Sequence, residues 1–188
     1  MPLSRNVVRF GQNSPFVIPR SGQYVKHYSV NNTTTFTFTN QILVAVPIPV
    51  GDVFQVNGIG IHVQAAVASS TIRLGIYRPN PNDFWNPGDL IIDGGTVDSS
   101  TTGGRVLTIS NTTIEPPFVW LAAVALGTGV GSQRNNTGHL PTDSGSNALS
   151  DNPACFRHNA NVTGALPSLF VATSTPVLGS PVLAYRRA

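Results

Sequence analysis

Short apolar runs separated by polar loops recur along the chain, and their two-residue period predicts β-strands. In the stretch TTTFTFT at 33–39, Phe36 and Phe38 share one parity while threonines take the other, as in a strand with one face on a core. Ile72, Leu74 and Ile76 alternate in the same way. Strands are predicted at 33–39, 42–50, 53–68, 71–77, 90–92, 106–109, 119–126, 168–173 and 181–185.

Two of these segments indicate their place in a sheet. Residues 119–126 are apolar on both parities and contain Trp120, which predicts a central strand buried on both faces. Residues 42–50 are also apolar, but Pro47 and Pro49 cannot donate a hydrogen bond to a neighbouring strand. The second half of that segment is therefore predicted to be an edge or a bend.

The segment 53–68 is predicted to be a long strand with a bulge. Its apolar residues at odd positions continue the parity of Val53. Asn and Gly residues at 57–60 indicate a bulge or a bend inside the strand. His62 has the other parity, so its side chain is expected to face solvent.

The fold class follows from these strands. The chain has 188 residues, which suits one domain with its own core. Strands separated by loops rich in Gly, Pro, Asn and Ser predict an all-β, antiparallel β-sandwich over 31–188. A long irregular loop is predicted within it at about 127–167, where neither the two-residue period of a strand nor the 3.6-residue period of a helix is visible. Residues 1–30 lack a sustained period and are broken by prolines. They are predicted to form an extended arm, and a disordered terminus is the alternative.

A resemblance falls within the same strand-rich region. The strings RLGIYRPN, GDLIIDGGTVDSSTTG and VWLAAVALG resemble a jelly-roll domain of virion proteins from tailed bacteriophages, found in tail fibres, baseplate proteins and head-decoration proteins. The resemblance implies a jelly-roll-like sandwich that serves attachment and assembly and carries out no reaction. It also implies a protein that is made in a host cytoplasm and becomes part of the virion.

Charge is sparse and unevenly placed. Only 10% of the residues are charged, against about 25% in ordinary soluble domains, so the surface should be neutral and polar. Residues 1–30 carry basic residues and no acid, 31–151 hold all 8 acids, and the C-terminal part adds Arg157, Arg186 and Arg187. Basic ends on an acidic body favour docking to an acidic neighbour, including another copy of the same body.

The same features argue against two other classes of partner. The basic residues are spaced without interleaved aromatics, which makes a poor phosphate track, so nucleic acid is not expected. The longest apolar run, 117–126, is half a membrane span, and the first 25 residues contain no signal-peptide pattern. Membrane insertion is therefore not expected.

Two segments are candidates for binding. In the arm, the candidate particle-docking residues are Arg5, Arg9, Phe10, Phe16 and Arg20. The loop RPNPNDFWNPG at 78–88 places Phe84 and Trp85 at its centre. These two aromatics could form a lid over the open end of the sandwich, anchor a protein interface, or stack on a sugar ring.

A search for catalytic chemistry finds no pattern. Glu115 is the sole Glu, so a Glu/Glu acid–base pair is impossible. Cys155 and His158 form a CxxH pair without two further ligands at suitable spacing, and the thiol is expected to be a small buried hydrophobe. Asp93 and Asp98 lie near glycines but match no calcium loop, and Asp is ordinary turn chemistry. No catalytic residue, cofactor or metal is predicted.

The resulting hypothesis is a non-enzymatic structural protein on the particle surface of a tailed bacteriophage. Capsid decoration or cement is preferred, because the chain is too short for the shaft of a fibre. The expected partners are copies of itself in a homo-oligomer, preferably a trimer, and a major capsid protein or tail component. The alternative is a tail-fibre, receptor-binding or carbohydrate-binding β-sandwich module, with a host surface glycan as its ligand.

Overall fold

The computed structural model describes residues 21–26, 35–83, 86–135, 153–173, 177–178 and 180–188, and these contain no helix. The strands are β1 (Tyr24–Lys26), β2 (Thr35–Thr37), β3 (Ile42–Pro49), β4 (Phe54–Ala65), β5 (Thr71–Pro79), β6 (Pro87–Asp98), β7 (Gly103–Ile114), β8 (Phe118–Leu126), β9 (Gly131–Asn135), β10 (Pro153–Asn161), β11 (Val177–Leu178), β12 (Ser180–Pro181) and β13 (Leu183–Arg187). They form two antiparallel sheets that pack face to face, which confirms the predicted β-sandwich.

The two sheets differ in the order of their strands. Sheet I has 7 described strands in the order β1-β13-β4-β9-β12, with β2 beside β9 and β7 beside β4. Sheet II has 6, in the order β11-β10-β3-β8-β5-β6. The connection from β6 to β7 crosses from sheet II to sheet I, so the stretch from β5 to β8 contributes to both layers.

The central core lies between the sheets and follows the predicted alternation. On β5, Ile72, Leu74 and Ile76 point inward and are fully buried. On β4, Ile59 and Ile61 face them from sheet I. Burying each such side chain contributes about 1.5–3 kcal/mol, and β3 and β8 add further buried apolar residues to the same core.

Strand β8 is buried on both faces, as predicted. It lies between β3 and β5 in sheet II, and one face points into the central core. Its other face belongs to a second core on the outer side of sheet II, where Trp120 contacts Phe156 edge-on at 5.6 Å between ring centroids. Tyr77 lies in the same second core.

Residues 162–173, here called the strap, cover this second core. The strap buries Leu166 and Phe170 against the outer face of sheet II. At β6 the N–H of Phe170 donates to the carbonyl of Gly88 at 2.9 Å. At β10 the N–H of Thr173 donates to the carbonyl of Arg157 at 2.8 Å. The strap therefore spans sheet II from one side to the other.

The prediction of an irregular loop over 127–167 needs correction, because β9 and β10 lie within it. Residues 136–152 are outside the described part of the chain. Strand β10 shows no two-residue period since it is buried on both sides: Cys155 faces the central core and Phe156 the second core. The predicted strand at 168–173 is instead part of the strap and makes only isolated bridges.

Strand β4 contains the predicted bulge, with an unexpected consequence. The register shifts between Val56 and Gly58, and the inward parity changes from even to odd at that point. Phe54 and Val56 are therefore buried, whereas Val53 is 55% exposed, so its predicted alignment with the core was wrong. His62 is exposed, as predicted.

Two predicted boundaries can also be compared with the structure. In β3, the residues that pair with β10 extend from Ile42 to Ala45, while Pro47 and Pro49 pair only with β8 among the described residues. The second half of β3 is thus an edge, as predicted. The end of the predicted arm is part of the sandwich, because β1 pairs with β13 in sheet I.

Candidate contact surfaces

The binding residues predicted from the sequence lie outside the described part of the chain. These residues are Arg5, Arg9, Phe10, Phe16, Arg20, Phe84 and Trp85. Their roles in docking or in ligand binding therefore stay predictions. The described residues nevertheless define the hairpin end that carries residues 84–85.

This hairpin end is closed by its own hydrogen bonds. Pro79 pairs with Pro87 at the base of the hairpin. Above them, the N–H of Asn80 donates to the carbonyl of Asn86 at 2.8 Å, and the N–H of Asn86 donates to the carbonyl of Asp83 at 2.9 Å. Because Asn side chains and prolines favour turns, the sequence closes this loop locally.

The CxxH pair is divided between the two faces of sheet II. The side chain of Cys155 is buried in the central core, and burial raises the pKa of its thiol to about 12. His158 faces the second core, where its ring contacts Phe170 edge-on at 5.3 Å between centroids. Residues three apart on a strand point to opposite faces, so these two side chains cannot share a metal ion.

Asp93 fastens the strap to sheet II. Its carboxylate accepts hydrogen bonds from Nε of Arg73 at 2.9 and 3.0 Å, from the N–H of Gly95 at 3.0 Å and from the N–H of Leu166 at 2.9 Å. Burial alone would raise the pKa of Asp93, but the hydrogen bonds and the charge of Arg73 together hold it below its ordinary value. The role of Asp93 is structural.

Asp98 has the turn chemistry expected of it. Its carboxylate accepts hydrogen bonds from the N–H of Ser100 at 3.0 Å and from the hydroxyl of Ser100 at 2.8 Å. Across the part of the chain that the structure describes, no group of three or more His, Cys, Asp or Glu side chains is arranged to hold a metal ion.

Exposed apolar side chains mark two surfaces. Among the described residues, the large exposed ones are Tyr24 (41%), Val53 (55%), Val106 (47%), Leu169 (48%) and Val171 (43%). Tyr24 and Val106 lie on the outer face of sheet I, and Leu169 and Val171 lie on the strap outside sheet II. Such clusters on a soluble protein mark contact sites more often than single exposed residues do.

The first surface, here called the basic patch, consists of Tyr24, Gly58, Gly60, Val106 and Arg186. Tyr24, Arg186 and Gly58 are neighbours across β1, β13 and β4. A Cβ atom on Gly60 would lie 3.7 Å from Cγ2 of Val106 and 3.9 Å from Cε1 of Tyr24. The side chains of Tyr24 and Val106 therefore lie over Gly60, and both glycines are buried beneath the patch.

Arg186 is held in place within the basic patch. Its Nε donates to Oδ1 of Asn57 at 2.7 Å, and its guanidinium carbon lies 5.9 Å from the ring centroid of Tyr24. A Cβ atom on Gly58 would lie 3.3 Å from Nε of Arg186, so the arginine crosses directly over the glycine. The described strands of sheet I contain no Asp or Glu, and their basic residues are Lys26, Arg105, Arg134, Arg186 and Arg187.

The second surface, here called the acidic patch, consists of Asp83, Asp89, Leu169 and Val171. Phe170 points inward to the second core, so its neighbours Leu169 and Val171 point outward. Asp89 is exposed and forms a β-bridge with Leu169, and Asp83 is exposed at the hairpin end. A depression of about 270 Å³ lies between the hairpin end and the strap, lined by Asn80, Asn86, Pro87 and residues 169–172.

Neither patch was found by the sequence reasoning. The basic patch depends on the pairing of β1 with β13, which joins residues from the two ends of the chain. The acidic patch depends on the strap, whose inward residues are four positions apart rather than two. The concentration of acids on β6 was visible in the sequence, but its position beside exposed apolar residues was not.

The fold is a β-sandwich with exposed apolar side chains outside each of its two sheets. No protein-family model matches the chain, and no curated protein matches it with significance. None of the described residues belongs to a helix long and apolar enough to cross a membrane.

Proposed function

We propose that this chain is a non-enzymatic structural protein on the particle surface of a tailed bacteriophage, where it assembles as a homo-oligomer. The observation that carries the proposal is the presence of two exposed apolar patches of opposite charge on a body that is otherwise poor in ions. Both patches are open surfaces suited to contact with another macromolecule.

The chemistry of the patches supports a role in protein contact. Tyr and Arg are enriched among the residues that dominate binding energy at interfaces, and the basic patch presents one of each side by side. Arg186 is already held by Asn57, so little side-chain freedom would be lost on binding. The resemblance of the stretch that forms β5 to β8 to virion jelly-roll domains supports the assignment to a phage particle.

Within the particle, we favour capsid decoration or cement, with a major capsid protein as the surface beneath. A tail component is the alternative location. The residues proposed to dock on the particle are Arg5, Arg9, Phe10, Phe16 and Arg20, which precede β1. Because β1 is an integral strand of sheet I, a truncation that tests this docking should remove residues 1–20 and no more.

The test is quantitative mass spectrometry of purified particles from the phage that encodes the chain. We expect the protein in the particles, in hundreds of copies for a capsid coat and in a few tens for a tail appendage. Particles grown with the chain lacking residues 1–20 should lose it, while the truncated protein remains folded in the lysate. Absence of the full-length protein from washed particles would contradict the proposed function.

A second candidate function is glycan binding, and the depression beside the acidic patch favours it. Its lining combines the amide side chains of Asn80 and Asn86 with the apolar strap, a combination that suits a sugar ring. Binding on a glycan array that disappears in Trp85→Ala and in Val171→Ala, but persists in Val53→Ala, would support this function. A glycan array without any binding would remove it.

A further inference from the structure

We infer that the basic patch of one copy binds the acidic patch of a second copy of this chain, in a head-to-tail contact. This inference deepens the proposed function, because it rests on the homo-oligomer and names the two surfaces that would form it. It uses only residues in the described part of the chain. The second copy is the proposed occupant because the surface complementary to each patch is present on the same molecule.

The charges of the two patches are complementary. Arg186 lies on a sheet whose described strands contain no acid, whereas Asp83 and Asp89 are exposed beside the strap, where exposed Arg78 on β5 offsets one of their two charges. Opposite charges on facing patches steer two copies together and fix their register. The same charges oppose symmetric contacts, since two basic patches or two acidic patches would repel each other.

The apolar parts of the patches also fit one another. The ring of Tyr24 lies over Gly60 and is 41% exposed, and the acidic patch borders a depression of about 270 Å³. The exposed face of this ring, packed against Leu169 and Val171 at the border of the depression, would bury apolar surface on both copies without requiring a strand to move. Central aromatic anchors of this kind, surrounded by a polar rim, are typical of interface hot spots.

The position of the patches on the fold excludes contact within one copy. The basic patch is on the outer side of sheet I, and the acidic patch is on the outer side of sheet II, with the central core between them. A contact between different patches on two copies is heterologous, so it forms a closed ring if the rotation closes and a filament if it does not. The trimer expected from the sequence would be one such ring.

Both patches are held rigidly enough to bind without rearrangement. Arg186 is fixed by Asn57 and by the ring of Tyr24. The strap that carries Leu169 and Val171 is fixed by the hydrogen bond from Leu166 to Asp93 and by the hydroxyl of Tyr77, which donates to the carbonyl of Pro167 at 2.9 Å. Preorganised contacts lose less entropy on association.

The test is sedimentation velocity of the purified full-length chain over a range of concentrations and at two salt concentrations. We expect self-association that weakens as salt rises. Arg186→Glu and Asp89→Arg should each weaken it by about tenfold or more, because each places like charges in the contact. An equimolar mixture of the two variants should associate again, since each supplies the intact patch that the other lacks.

Matched controls separate the patches from general charge effects. Val106→Glu adds a charge in the basic patch and should weaken association, while Val53→Glu adds the same charge at an exposed valine outside both patches and should not. Glu115→Arg is the corresponding control for Asp89→Arg. Thermal unfolding of each variant shows whether the sandwich remains folded.

Three results would overturn the inference. These are a chain that stays monomeric at all concentrations, an oligomer that both Arg186→Glu and Asp89→Arg leave intact, and an oligomer that only one of them weakens. The last result would indicate a symmetric contact through a single patch. A chain that is monomeric in solution but present on particles would refute the head-to-tail contact, while the proposed location on the particle would remain supported.

Discussion

The link between Asp93 and the strap predicts a large loss of stability in Asp93→Ala. The substitution leaves three donors without their acceptor: the guanidinium of Arg73 and the N–H groups of Gly95 and Leu166. The side chain of Asp93 is only 19% exposed, so water cannot fully replace the lost carboxylate. Hydrogen bonds to charged groups contribute about 1.5–3 kcal/mol each net of the exchange with water. Because water reaches part of this site in the variant, we expect a total loss of about 2–4 kcal/mol.

Equilibrium urea unfolding at neutral pH measures this loss. Asp93→Asn keeps one acceptor oxygen and should lose less than Asp93→Ala. Asp98→Ala removes an exposed turn aspartate and serves as the matched control, with little change expected. Hydrogen exchange gives the local readout, because the amide of Leu166 should exchange faster in Asp93→Ala while the amide of Leu121 in β8 should keep its protection relative to global unfolding.

The lowered pKa of Asp93 adds a pH signature with a defined sign. The contribution of a carboxylate whose folded-state pKa is lowered is complete above its ordinary value of 3.8 and disappears as the pH falls through the folded-state value. The difference in unfolding free energy between the wild type and Asp93→Asn should therefore shrink below about pH 3.8. A neutral-pH loss for Asp93→Ala below about 0.5 kcal/mol, the usual range of surface substitutions, would refute the proposed role of this carboxylate.

Three further predictions concern the cores and the N-terminal strand. Gly75→Ala should destabilise the chain by about 1–3 kcal/mol, because its Cβ would lie 2.8 Å from the carbonyl oxygen of Ile92 and against Leu166, whereas Gly104→Ala has open space and should be neutral in thermal unfolding. The thiol of Cys155, with a pKa of about 12, should react with a disulfide reagent at pH 8 only as fast as the chain unfolds, and immediate stoichiometric labelling would contradict its burial. Deleting residues 1–26 should give a lower melting temperature than deleting residues 1–20, because β13 then loses its neighbour β1; equal melting temperatures of the two truncated chains would contradict the role of β1.

The strands with short-range signals could be predicted from the sequence. Ile72, Leu74 and Ile76 alternate because β5 has one face on the central core, and β8 is apolar on both parities because it has a core on each side. In these two strands the local pattern and the burial coincide. The β-sandwich could be inferred for this reason, without knowledge of which strands pair.

The features that escaped prediction depend on contacts between distant residues. Leu166 and Phe170 lie in the segment VTGALPSLFVAT at 162–173, and only the folded sheet II shows that these two residues, rather than Leu169 and Val171, cover Tyr77 and Trp120. Val53 was assigned to the core because the two-residue period of the later part of β4 was extended back across the bulge between Val56 and Gly58. A shift of one residue at the bulge moves every residue before it to the opposite face of the sheet. Asn and Gly residues indicate that a bulge is present, but they do not show how it shifts the pairing register.

The separation of charge on this protein is a product of its topology. In the sequence the basic residues appear at two distant ends and the acids in the body between them. Folding pairs β1 with β13, which gathers Lys26 and Arg186 on one sheet, and it places the acids of β6 at the edge of the other. The described strands of sheet I therefore carry basic residues and no acid, whereas those of sheet II carry the three aspartates of β6 together with Arg73, Arg78 and Arg157. This difference between the two sheets is the basis of the head-to-tail contact that we propose.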